Sequence, residues 1–169
     1  MKRFIYSFLS VCLFFSSCSL DESPQASVDK DAIFGSEKGL ATYSYSFYNI
    51  LPSVANGFRQ DAMCDYGAVT SFDSFLRDGA YSAENSSGWS WGELRNINYF
   101  IENCVNENVD TAVRNNYIGL ARFFRAYFYY MKVVRFGDVP WIDKTFEVDS
   151  EELYAGRDPR TVVMDHVLE

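Results

Sequence analysis

Residues 118–142 read IGLARFFRAYFYYMKVVRFGDVPWI, and the folding of this stretch decides the rest. From 117 to 134 nearly every residue is apolar or aromatic, with Gly119, Arg122, Arg125 and Lys132 as interruptions. A helix this apolar around its circumference is expected to be covered by neighbours on several faces. It does not suit a bilayer, because Arg122 and Arg125 would lie near the middle of the hydrocarbon. The two arginines are three apart, on one helical face, with Tyr129 four beyond Arg125. An unpaired guanidinium in such surroundings is costly, so both arginines read as structural. Gly137, Asp138 and Pro140 stop the helix, since Gly accepts left-handed backbone and Pro cannot continue the ladder. Asp138 reads as structural as well, capping a turn or pairing with Arg135 or an arginine of the long helix. The fold class that follows is all-α.

Working outward, Asp110 or Thr111 can start this helix, which runs to about Phe136. Upstream, residues 91–104 predict a helix with Leu94, Ile97, Asn98, Ile101 and Val105 on one stripe. Asn98 inside an apolar stripe reads as a buried hydrogen-bonding residue that joins helices. Residues 36–51 predict an earlier helix, capped by Ser36 and ended by Pro52. Downstream, residues 161–168 start another after Pro159.

Residues 53–88 break this pattern. Gly57, Gly67, Gly79 and Gly88 punctuate them, and acidic residues alternate with Arg59, Arg77 and several aromatics. A long irregular segment inside a compact domain is usually functional or mobile. Flat ring faces beside hydrogen-bonding side chains suit a carbohydrate, whose ring stacks while its hydroxyls are bonded. The ligand-binding candidates are Asp73, Arg77, Tyr81 and Trp89. For Trp89 a place in the next helix's packing is an equal alternative.

The start of the chain reads as a leader. Lys2-Arg3, an apolar run over residues 4–15 and then Ser16-Ser17-Cys18 have the layout of a signal peptide, too short to span a membrane. Cys18 directly after two small residues reads as a lipoprotein cleavage site and becomes the acylated first residue. The domains are therefore a leader at 1–17, a polar tether at 18–30 and a helical domain at 31–169. The chain has 169 residues and a formal charge of −8; loss of the leader with its two cations takes that to −10. Such a charge argues against nucleic acid as a partner and leaves the lipid as the membrane anchor. After Cys12 and Cys18 are set aside, Cys64 and Cys104 remain, either as a disulfide permitted by export or as two buried thiols. With His166 the sole histidine, no metal site is expected.

The long stretch, WSWGELRNINYFIEN at 89–103 and ELYAGRDPR at 152–160 are together similar to the SusD/RagB family of outer-membrane nutrient-binding lipoproteins. The three motifs stand in the family's order behind a lipoprotein leader, and the resemblance covers essentially the whole chain. Family members are several times longer, so the resemblance takes this chain as an N-terminal part. It implies a tetratricopeptide-like helical packing and a structural role for Trp91. It also implies an outer-membrane location, an oligosaccharide ligand and a SusC-like TonB-dependent transporter as partner. A peptide or glycoprotein cargo is an alternative, as is a helical scaffold that binds only protein.

Chemistry of another kind finds little support. Acidic pairs are abundant, but sequence spacing cannot set two carboxyls across a cleft as a glycosidase requires. No Ser-His-Asp grouping, phosphate-binding glycine loop or dinucleotide fingerprint is present. The expectation is a binding protein without catalytic residues or cofactor.

Overall fold

Asp110 sets where the long helix begins: its carboxylate accepts the backbone N–H of Ala112 at 2.8 Å. In the computed structural model, which describes residues 29–54 and 87–169, that helix runs from Thr111 to Phe136. It ends where Gly137 takes a φ of +72° and returns its N–H to the Val133 carbonyl. Any side chain at Gly137 would strain this reversal. Among the described residues the helices are, in chain order, α1 (Lys30–Phe34), α2 (Glu37–Ser44), α3 (Gly92–Asn103), α4 (Thr111–Phe136) and α5 (Arg160–Leu168). Short 3₁₀ turns occupy Tyr45–Ile50 and Glu151–Tyr154. The described residues form no strand beyond one antiparallel bridge between Val139 and Asp158, so the class is all-α. Among them, no helix is long and apolar enough to cross a membrane.

Two apolar clusters lie along α4. Phe34, Leu40 and Phe47 meet Ile97, Phe100 and Phe124 in one; Leu94, Phe128, Tyr129, Val139 and Val163 form the other. Aromatic edges meet aromatic faces in the first, with Phe47 and Phe100 5.2 Å apart at 85°. Each cluster draws on a different neighbour of α4, so α3 is shared while α2 and α5 cover opposite ends.

Several expected boundaries shift. A five-residue helix, α1, precedes the one expected at 36–51 and starts inside the tether assigned to 18–30, with Asp29 as its cap. The helix begun at Ser36 is α only to Ser44 and then tightens to 3₁₀. At that transition the Ser44 hydroxyl donates to the Ala41 carbonyl at 2.7 Å. In α3 the buried stripe includes Phe100 and leaves out Val105, because the helix ends at Asn103 and Val105 lies beyond it in solvent.

The largest correction concerns α4 itself. Its buried residues are Ala121, Phe124, Phe128, Tyr129 and Lys132, which share one side. Phe123, Tyr130, Met131 and Val134 point to solvent. Among the described residues the other helices pack from one side, so there an apolar circumference does not mean cover on several faces.

Candidate functional site

After Gly137 the chain turns back along α4, and three stretches distant in sequence meet there. Tyr129, fully buried, accepts the Ile142 N–H at 2.6 Å, and its hydroxyl proton faces the Ile142 and Pro140 carbonyls at 3.1 and 3.3 Å. Asn98 of α3, equally buried, donates to the Ile142 and Lys144 carbonyls at 3.0 and 3.2 Å. Its own oxygen faces the Arg125 guanidinium at 3.4 Å, which also reaches the Asp143 carbonyl at 3.3 Å and lies over the Trp141 ring. Asp158 accepts the Trp141 N–H at 2.7 Å and donates its own N–H to Val139. Asp138 accepts the Arg160 N–H at 2.9 Å. Pro159 at the start of α5 has no acceptor side chain, so Asp138 supplies the cap from a distance. No buried side-chain nitrogen or oxygen among the described residues lacks a partner.

This places each structural candidate. Asn98 and Arg125 are parts of the junction, and Trp91 packs on Phe128 and Tyr129. Arg122 diverges from Arg125: it lies in solvent and donates to the Glu169 carbonyl at 3.1 Å. Asp138 caps α5.

Burial sets the titration of the junction. It pushes the Tyr129 phenol well above its ordinary value, against the opposing pull of the Ile142 hydrogen bond. Outside the junction, burial pushes the Tyr43 phenol up to about 12, with Tyr99 adding to the effect. Burial lowers the Arg125 guanidinium, partly offset by Asp143, and lowers the Lys132 ammonium with Arg135 adding to the effect. A phenol whose folded value exceeds its unfolded one contributes stability that is whole below the unfolded value and fades as pH rises through the folded one. Lys132 acts in the opposite sense, gaining as pH climbs toward its unfolded value of 10.5. Both phenols therefore pull stability down above the unfolded phenol value of 10.0, while Lys132 and Arg125, whose folded values are lowered, oppose the fall. Urea unfolding repeated across the alkaline range measures this, and Tyr43→Phe should flatten the fall below about 12.

Trp89 stands at the edge of the junction with 41 % of its surface in solvent. Its ring makes edge contacts with Trp91 at 5.2 Å and Phe136 at 4.9 Å, and the Arg157 guanidinium lies over it at 4.5 Å. Beneath it, Lys132 is buried among the Trp91, Phe128 and Phe136 rings and donates to the Gly88 carbonyl. These contacts pin the chain that carries Trp89 to α4.

Arg157 also borders a cleft of about 410 Å³ between residues 140–146 and 152–158. Asp143, Lys144, Glu152 and Asp158 give it polar walls; Lys144 and Glu152 pair across it at 3.0 Å. Trp141 lines it too, but Tyr129 packs on that ring at 4.4 Å and His166 stacks on it at 4.8 Å and 17°. Trp141 therefore offers little ring face, and the accessible indole is Trp89. An exposed indole beside a guanidinium and a carboxylate-lined cleft can stack a ring and bond hydroxyl groups.

Of the ligand candidates, Trp89 is thus placed against Arg157, which lines the cleft, whereas Asp73, Arg77 and Tyr81 lie outside the described residues, as do Cys18 and Cys64. The residues that sequence reasoning passed over are Arg157, Asp143 and Lys144. Arg157 belonged to a quoted motif, but nothing in its spacing tied it to Trp89. Cys104 is a buried free thiol, raised in pKa by burial. Among the described residues no group of His, Cys, Asp or Glu could hold a metal ion.

In comparison with known proteins, no family model, curated protein or solved structure matches the chain.

Proposed function

We propose that this chain is a surface lipoprotein of the SusD/RagB kind, which captures an oligosaccharide and delivers it to a TonB-dependent transporter. Its helices would be the start of a tetratricopeptide-like scaffold, anchored to the outer membrane through lipid on Cys18. One observation carries the reading: the three stretches on which the resemblance rests, at 89–103, 118–142 and 152–160, converge on one hydrogen-bonded junction. Motifs that must meet in space explain why they occur together in one order. The Trp89–Arg157 pair and the adjoining cleft supply the chemistry that a sugar ring requires.

Isothermal titration of the full chain with a panel of oligosaccharides tests the reading. One member should bind without being cleaved, and Trp89→Ala should weaken it about fivefold, the worth of one stacked ring at ~1 kcal/mol. Cleaved product would point to an enzyme, and a panel without any binder would remove the glycan reading. The anchor has its own test in cell fractionation. Wild type should stay with the membrane and Cys18→Ala should be released; equal release of both would contradict lipidation.

A further inference from the structure

The outward face of α4 is a feature of the described residues that the glycan reading leaves unused. Phe123, Tyr130, Met131 and Val134 are 59, 51, 46 and 66 % exposed, and Tyr127 is half-buried among them. Positions 123, 127, 130 and 134 alternate steps of four and three, the seam spacing of one helix laid along another. Gly119 sits one turn before Phe123 on this face, with open space where a side chain would be. Gly inside a helix is unfavourable, and a close approach by another backbone is the usual reason to keep one.

Charge narrows the occupant. Over Thr111–Phe136 the chain carries four arginines and one lysine without a single Asp or Glu, in a protein of net charge −8. Arg122 and Arg135 flank the apolar strip on opposite edges, as their angular positions on the helix require. Two α4 faces laid together would set arginine against arginine with no carboxylate in either helix, so a second copy does not fit. The seam spacing of the strip and the open position at Gly119 suit a second helix backbone, which a lipid surface does not supply.

We propose that this face docks an amphipathic helix of another polypeptide, whose apolar stripe is bordered by Asp and Glu. The partner helix runs along α4, its stripe interleaving with Phe123, Tyr127, Tyr130 and Val134 and its backbone closest at Gly119. Its carboxylates face Arg122 and Arg135. The surface is independent of Trp89, Arg157 and the cleft, so either assignment can fail alone.

The test uses the full chain and two synthetic helical peptides with the same leucine stripe, one bordered by glutamates and the other by lysines. Fluorescence anisotropy should show saturable binding of the glutamate peptide and at least about tenfold weaker binding of the lysine peptide. Val134→Glu and Gly119→Leu should each abolish binding while the melting temperature stays near wild type or above it. Phe123→Ser serves the same purpose should either variant misfold. Equal binding of both peptides, or of neither, overturns the proposal. So does binding that survives Val134→Glu and Phe123→Ser. Flotation with anionic phospholipid vesicles that depends on Phe123 would reassign the face to a membrane, and dimerisation in sedimentation that Val134→Glu abolishes would reassign it to a second copy.

Discussion

Tyr129→Ala is expected to remove about 4 kcal/mol of stability, a large fraction of what a domain of this size possesses. The ring is fully buried between Trp141 at 4.4 Å and Phe128 at 5.7 Å, so truncation opens a cavity in the second cluster. The hydroxyl is the second loss: without it, the Ile142 N–H has no acceptor, and the one proton shared between the Pro140 and Ile142 carbonyls is gone. Tyr129→Phe separates the two parts, retaining the packing and costing about 1–2 kcal/mol for the hydrogen bonds. Urea unfolding of wild type and both variants measures the difference. Equal losses in Phe and Ala variants would mean that the hydroxyl, not the ring, dominates, and an Ala loss below about 1 kcal/mol would contradict the packing altogether.

Asn98→Ala is expected to cost about 3 kcal/mol, since it removes a fully buried amide that donates to two backbone carbonyls and accepts from Arg125. Asn98→Asp tests the assignment of the amide more sharply. It preserves size and an acceptor for Arg125, yet turns an oxygen toward the Ile142 and Lys144 carbonyls. If Asn98 serves only as an acceptor for Arg125, the Asp variant should match or exceed wild type. In the geometry described, it should lose at least as much as Ala at neutral pH, because a buried carboxylate against two carbonyls is costly.

What the sequence made legible was local chemistry. Asp110 and Gly137 mark the ends of α4 through a cap and a left-handed turn, both readable from residue type. Asn98 stood out because an amide in an apolar stripe must find partners, though not which ones. The partners are backbone carbonyls 44 and 46 residues away, and no periodicity encodes those. The change from α to 3₁₀ geometry after Ser44 is something that apolar spacing does not register. Hydrophobicity alone also misjudged the surroundings of α4, since apolar residues at 123, 130, 131 and 134 look the same in sequence whether covered or exposed. Arg122 and Arg125 differ by three positions, enough to put one in solvent and the other over Trp141. The site was legible only as Trp89. Its neighbour Arg157 arrives through the tertiary fold, and a preference between packing and ligand contact for Trp89 required seeing both its ring contacts and its exposure.

The account stands on the junction that brings the three stretches together, and amide hydrogen exchange on the full chain reads it most directly. The N–H groups of Trp141, Ile142 and Arg160 lie outside or at the ends of helices, where exchange is ordinarily fast. Each is bonded to a side chain from elsewhere: Asp158, Tyr129 and Asp138. They should therefore exchange as slowly as the core of α4, and Tyr129→Phe should release Ile142 first. Exchange of all three at the rate of exposed loop amides in the wild-type chain would contradict the junction and the reading built upon it.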